Sequence, residues 1–165
     1  MYERPGSRTA RLAVAPQTDE LTGLLNQGAW HRHLQHELLR ARRSHAPVTI
    51  VLVDLDEFEQ LNDTRGRQAG DRLLKELAAA WRRAVRETDH VGRIGGDEFG
   101  LLLPGCDLDD AYVLMGRLRA VVPAGMTCSM GVATWDLAEG PERLLLRADE
   151  ALYAAKRRGR DRIAC

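Results

Sequence analysis

Apolar residues recur along the chain with two different periods, and the switches between them predict the order of the elements. Over residues 27–44, Trp30, Leu34 and Leu38 recur at helical spacing, while His31, Arg32, Arg40 and Arg43 occupy the opposite face. Pro47 closes that helix. Residues 48–55 are nearly all apolar and rich in β-branched side chains, as a strand buried on both faces requires, which predicts the centre of a sheet. A short acidic stretch follows. Residues 71–85 then carry Leu73, Leu74, Leu77, Ala78, Trp81, Ala84 and Val85 on one helical stripe.

Residues 90–94 and 99–103 flank Gly95, Gly96, Asp97 and Glu98, which reads as a hairpin whose glycines supply positive φ. Residues 107–122 predict a helix capped by Asp107, with Ala111, Leu114, Leu118 and Val121 at core spacing. Residues 127–134 alternate as a strand with Cys128, Met130 and Val132 on one face. Pro141 starts a last helix with Leu145, Ala148, Leu152 and Ala155 inward, and Gly159 stops it. The expectation is a single mixed α/β sheet with helices packed against it.

Composition narrows the possible partners. With 165 residues, 44% hydrophobic and 29% charged, the chain is long and apolar enough for one globular domain. Its 24 basic and 24 acidic residues cancel, which argues against general nucleic-acid binding. Cys106, Cys128 and Cys165 are odd in number and widely spaced; they fit neither a disulfide framework nor a metal knuckle and suit a reducing cytoplasm. No stretch in this segment approaches a membrane span. Residues 1–18 mix Pro, Gly and Arg without a sustained period and read as a tail or a linker from an upstream domain, leaving residues 19–165 as the folded domain.

Candidate chemistry lies at the end of the buried strand. Asp54 and Asp56 stand two apart, on one face if the strand persists, and a hairpin paired alongside would add Asp97 and Glu98. Three or four carboxylates gathered there suit Mg²⁺; solvated strand-end acids are the equal alternative. His31, His33 and His36 share a polar helix with arginines and suggest no metal site, and Trp30, Trp81 and Trp135 read as core or interface residues.

Gly95-Gly96-Asp97-Glu98-Phe99 spells GGDEF, and other motifs follow in order from Asp19 to the C-terminus. Residues 19–24 read DELTGL, 54–56 DLD, 62–63 ND, 70–71 GD, 86–89 RETD, 129–132 SMGV and 148–156 ADEALYAAK. In all of these the chain resembles the GGDEF family of diguanylate cyclases.

The resemblance implies a fold like the palm of nucleotide cyclases and polymerases, with a central, mainly antiparallel sheet flanked by helices. It implies condensation of two GTP into cyclic di-GMP with release of two pyrophosphates, in a homodimer of facing domains that is inhibited by its product. By position, Asp54 and Asp97 would bind Mg²⁺ or Mn²⁺ by side chain and Leu55 by its carbonyl, with Asp97 or Glu98 the proton acceptor. Asn62 and Asp71 match the guanine-reading pair; Asp71 could equally be an acid at a helix N-terminus. Gly95 and Gly96 would admit the nucleotide or simply make a tight turn. Lys156 and Arg160, four apart on one helix face, would hold the triphosphate or complement the helix dipole. Arg86 and Asp89 match the product-inhibition motif, with Arg119 a secondary contact.

The chain departs from the family pattern at Glu59, where a lysine is usual, and at Arg67, where a histidine is usual. Two unit charges about 4 Å apart are worth roughly 4 kcal/mol at an effective dielectric near 20 before screening, so Glu59 argues for lowered activity. Arg67 could restore part of the lost positive charge. The alternative function is a catalytically weak domain that binds GTP or cyclic di-GMP as a receptor or dimerisation module.

Overall fold

The computed structural model describes residues 15–123 and 125–165. Most of the expected tail, residues 1–14, lies outside the described residues. The described residues form five helices and five strands in the order α1 (Gln27–Ser44), β1 (Val48–Leu55), α2 (Phe58–Arg65), α3 (Arg67–Ala84), β2 (His90–Arg93), β3 (Glu98–Pro104), α4 (Leu108–Ala120), β4 (Cys128–Thr134), α5 (Pro141–Arg157) and β5 (Ile163–Ala164). The sheet order is β2-β3-β1-β4-β5, antiparallel except for β4 with β5. The apolar strand is central, as expected, and buried along its whole length.

Strand alternation divides the core into two layers. Val51, Val53 and Leu55 pack with the leucines of α3 and with Met115 and Leu118 of α4. Ile50 and Leu52 face Trp30, Leu34 and Leu38 of α1 and Leu144, Ala148 and Leu152 of α5. Each leucine fully buried in these layers contributes about 1.5–3 kcal/mol relative to exposure.

Two elements carry no clear periodic signal. Helix α2 buries only Phe58, so its eight residues show no apolar stripe, and β5 is two residues long. Helix α3 begins at Arg67, four residues before the expected start, which removes Asp71 from the helix N-terminus. The inward faces of two helices also differ from expectation. Val121 follows the end of α4 and is exposed, while Met115 fills the core; in α5 Leu144 is fully buried and Leu145 only partly.

Side chains absent from three glycines set the closest approaches. In β4, a Cβ on Gly131 would lie 2.2 Å from both the Ala148 carbonyl oxygen and the Leu152 nitrogen, so α5 rests its backbone on the sheet there. Gly92 and Gly100 face each other across β2 and β3 and cradle the fully buried Trp30, with Cβ positions 2.8 Å from its ring. Gly100→Ala is therefore expected to cost about 1–3 kcal/mol through overpacking. Combined with Trp30→Phe it should cost less than the sum of the single changes by about 1 kcal/mol, as measured by urea unfolding of the four proteins.

Candidate active site

Burial on both faces forces the charge of β1 to its end. Asp54 lies on the α5 side of the strand, paired in register with Glu98 of β3 and Ser129 of β4. Because α5 sits so close on Gly131, Lys156 in its last turn reaches Asp54 and bonds its carboxylate through Nζ. Asp97 arrives from the β2–β3 turn, where its carbonyl accepts from the Leu55 N–H at 3.1 Å. Burial raises the Asp54 carboxyl above its usual range; Lys156 opposes this and the neighbouring Asp97 charge adds to it.

The expected cluster of three or four carboxylates contracts to this pair. Beyond Leu55 the strand ends and Asp56 turns away, accepting from Thr127 Oγ1 at 2.6 Å, Ser129 Oγ at 2.7 Å and the Asp161 N–H at 3.0 Å. Its buried charge is thus fully engaged in joining β1, β4 and the chain after α5. Glu98 is exposed and folds over Gly95, where a Cβ would lie 2.6 Å from its Oε2. Neither Gly95 nor Gly96 has positive φ, contrary to expectation; the space beside Gly96 is open, and what a side chain at Gly95 would meet is the flexible, exposed Glu98. Among the described residues, no three His, Cys, Asp or Glu side chains form a ready-made metal cage.

Asn62 of α2 packs on Gly70 of α3, next in the chain to Asp71, across the corner that turns at Gly66 with φ 86°. Asn62 Oδ1 is buried without a hydrogen-bond partner, and a Cβ on Gly70 would lie 1.8 Å from it. Gly70 therefore makes the room in which Asn62 sits. Arg67, at the start of α3, and Glu59, on α2, are both exposed. Lys156 and Arg160 do not share a helix face: α5 ends at Arg157, and Gly159 at φ 113° turns the chain so that Arg160 lies past the helix.

Arg86 and Asp89 close a tight turn. Asp89 is buried and receives the Arg86 backbone N–H at 2.9 Å and its guanidinium at 3.0 and 3.3 Å, while Arg86 Nη2 also donates to the Pro104 carbonyl at 3.0 Å. A cavity of about 260 Å³ opens beside them, lined also by Cys106, Asp110 and Arg117. Arg119 does not join it; its guanidinium donates instead to Asp161. Arg117 and Arg119 are two apart on α4, a roughly 200° turn of the helix, so the arginine that lines the cavity with Arg86 is Arg117, which the sequence did not single out. Burial pushes the Cys106 thiol up to about 11 and the Cys128 thiol to about 12, which leaves both protonated near neutrality.

The hairpin turn is tied to the first turn of the domain. Arg93 donates to the Gly96 carbonyl at 3.1 and 2.8 Å and to both oxygens of Asp19 at 3.3 Å. Just before Asp19, Thr18 bridges Leu25, and the Pro16 and Gln17 carbonyls accept from Asn26. Burial alone pushes the Asp19 carboxyl up, but hydrogen bonds from Thr22 and the Arg93 charge outweigh it and hold the group below its usual 3.8. A lowered folded-state pKa means that Asp19 stabilises the ionised fold above the unfolded-state pKa and ceases to do so as pH falls through the folded-state value. The melting-temperature difference between the wild-type chain and Asp19→Asn is expected to be full above about pH 5 and to shrink steadily on acidification through and below pH 4.

Comparison with known proteins gives a consistent family. The family described as "Diguanylate cyclase, GGDEF domain" matches residues 16–162. Diguanylate cyclase DgcP of Pseudomonas aeruginosa is 39% identical over 156 residues, covering 88% of this chain and 23% of that protein. DosC of Escherichia coli is 35% identical over 156 residues, again 88% of this chain and 34% of the relative. The chain thus spans about a quarter to a third of the curated relatives named here. Among solved structures, diguanylate cyclase SiaD of P. aeruginosa in complex with its activator SiaC has a TM-score of 0.85 at 39% identity, covering 91% of this chain and 62% of that one. The GGDEF domain of DgcB from Caulobacter crescentus in complex with c-di-GMP has a TM-score of 0.86 at 28% identity, covering 98% of both chains. Sequence motifs, sheet order and these likenesses agree, and the chain belongs to the GGDEF domain family of diguanylate cyclases.

Proposed function

We propose that this domain condenses two GTP into cyclic di-GMP and two pyrophosphates, working in the cytoplasm as a dimer of facing domains that its product inhibits, with an upstream domain as the source of regulation. The observation that carries this reading is the approach of Asp97 to Asp54 at the end of β1, with Lys156 beside them. A divalent cation fits this donor set. Two carboxylates and the Leu55 carbonyl are hard oxygen donors, and Mg²⁺ is commonly held by one or two carboxylates plus substrate phosphates. Asp54, whose negative form burial and Asp97 both disfavour, gains from the added positive charge. When bound there, Mg²⁺ or Mn²⁺ supplies charge neutralisation for the phosphates and polarisation of the α-phosphate.

The remaining work falls to side chains of the chain itself. Asp71 can accept from guanine N1–H and the 2-amino group together, which adenine cannot offer, and Asn62, seated on the neighbouring Gly70, is the second residue of the guanine-reading pair. Lys156 and Arg160 hold the triphosphate, Arg67 adds positive charge at the start of α3, and Gly95 and Gly96 admit the nucleotide close to the main chain. Asp97 or Glu98 accepts the proton of the attacking 3′-hydroxyl. Each domain positions one GTP, so two must face each other before either hydroxyl meets its target. The cavity beside Arg86 and Asp89 receives the product, with Arg117 as a second cationic contact.

A second reading, a receptor for GTP or cyclic di-GMP with little turnover, is favoured by Glu59, exposed on α2 where the family pattern has lysine. Incubating the protein with GTP and Mg²⁺ or Mn²⁺, and separating the nucleotides by chromatography, distinguishes the two. Cyclic di-GMP is expected, reduced at least about a hundredfold by Asp97→Ala. Nucleotide binding without product in demonstrably dimeric protein, with turnover created by Glu59→Lys, would establish the receptor instead. In the active protein, Arg86→Ala and Arg117→Ala are each expected to raise the inhibition constant for cyclic di-GMP about tenfold, read from initial rates at increasing product.

A further inference from the structure

We infer that Arg119 is a positioning residue for the substrate side of the site: through Asp161 it holds the corner of chain that presents Arg160. The inference rests on the reading that Arg160 contacts the GTP triphosphate.

Three consecutive residues after α5 have left-handed backbone, Gly159 at φ 113°, Arg160 at 61° and Asp161 at 44°. Arginine resists that region because Cβ crowds the following carbonyl, and although aspartate tolerates it better, two such residues in succession persist only if their surroundings impose the corner. It is held from three sides. Asp56, at the end of β1, accepts from the Asp161 N–H at 3.0 Å. The Met130 N–H of β4 donates to the Arg162 carbonyl at 2.9 Å. From α4, Arg119 Nη2 donates to both the carbonyl and Oδ1 of Asp161, each at 2.6 Å.

The third contact differs from the other two in kind. Asp56 and Met130 hold only main-chain groups that any sequence would provide, whereas Arg119 adds to its bond with the Asp161 carbonyl an ion pair with the Asp161 carboxylate. The Arg119 side chain is only 31% exposed, and its Nε is buried without a partner, so it is packed into this role and directed away from Arg86 and Asp89. Releasing it to reach a ligand elsewhere would break two short charge-assisted bonds at a corner that needs them. Arg160 itself is exposed and is placed by the backbone of this corner, its N–H donating to the Ala155 carbonyl at 3.1 Å. Arg119 and Asp161 thus set where the Arg160 guanidinium stands relative to Lys156 on the preceding helix turn.

The test compares Arg119→Ala, Arg160→Ala and their double variant in the full chain, with GTP affinity measured by titration in Mg²⁺ and product inhibition from initial rates. Arg119→Ala is expected to weaken GTP binding about tenfold with the inhibition constant for cyclic di-GMP unchanged, and to add little further in the Arg160→Ala background. Asp161→Asn, which keeps an oxygen for Arg119, should retain more affinity than Asp161→Ala. Fully additive effects, or relief of product inhibition by Arg119→Ala, would overturn the inference. Hydrogen exchange separates it from the functional reading: Arg119→Ala should speed exchange across residues 158–162 whether or not the chain binds GTP, and unchanged exchange there would sink it.

Discussion

A strand that is buried on both faces has no place for charge except at its end, and that constraint on β1 organises the molecule. Eight residues from Val48 to Leu55 lie between two helical layers, and polar chemistry begins where those layers stop covering the strand. The period of two then decides which layer Asp54 meets. Since Val53 and Leu55 point to α3 and α4, Asp54 points to α5, and Lys156 is the cation that side offers. A one-residue slip of β1 would bury the carboxylate among leucines and place an apolar side chain beside Lys156.

Close approach between elements depends on small residues at particular positions. Gly131 lets the α5 backbone touch β4, which brings Lys156 within reach of Asp54; Gly70 leaves the volume that Asn62 fills; Gly92 and Gly100 accept the ring of Trp30 beneath the hairpin that delivers Asp97. In each case the glycine serves packing rather than an unusual φ. The site is therefore positioned by the core, and the same contacts that stabilise the fold fix the distances on which the site depends.

A chain with no net charge still builds local charge of both signs. Arg86, Arg93, Arg119 and Arg147 each bond a carboxylate and a main-chain carbonyl at once. Guanidinium suits this because its several donors lie in a fixed plane and can serve two acceptors. Arg93 ties the first turn of the domain to the GGDEF turn, and Arg119 ties α4 to the corner after α5. Of the two lysines in the sequence, Lys75 is exposed and Lys156 sets one ammonium against the Asp54 carboxylate.

The sequence alone determined the features that follow from local periodicity or from adjacency. The central strand, the stripe of α3, the hairpin and the stop at Gly159 were legible because burial imprints a period of two or 3.6 and glycine marks chain reversals. The ordered motifs likewise named the family before any geometry was known. Tertiary structure alone decided which charges share a site. Asp56 differs from Asp54 because Thr127, Ser129 and Asp161, distant in the chain, converge on it, and Arg119 differs from Arg117 because two residues on a helix face opposite partners. Helix α2 was hidden for a related reason: with one buried residue it is held by its neighbours, and an element stabilised from outside leaves little pattern within.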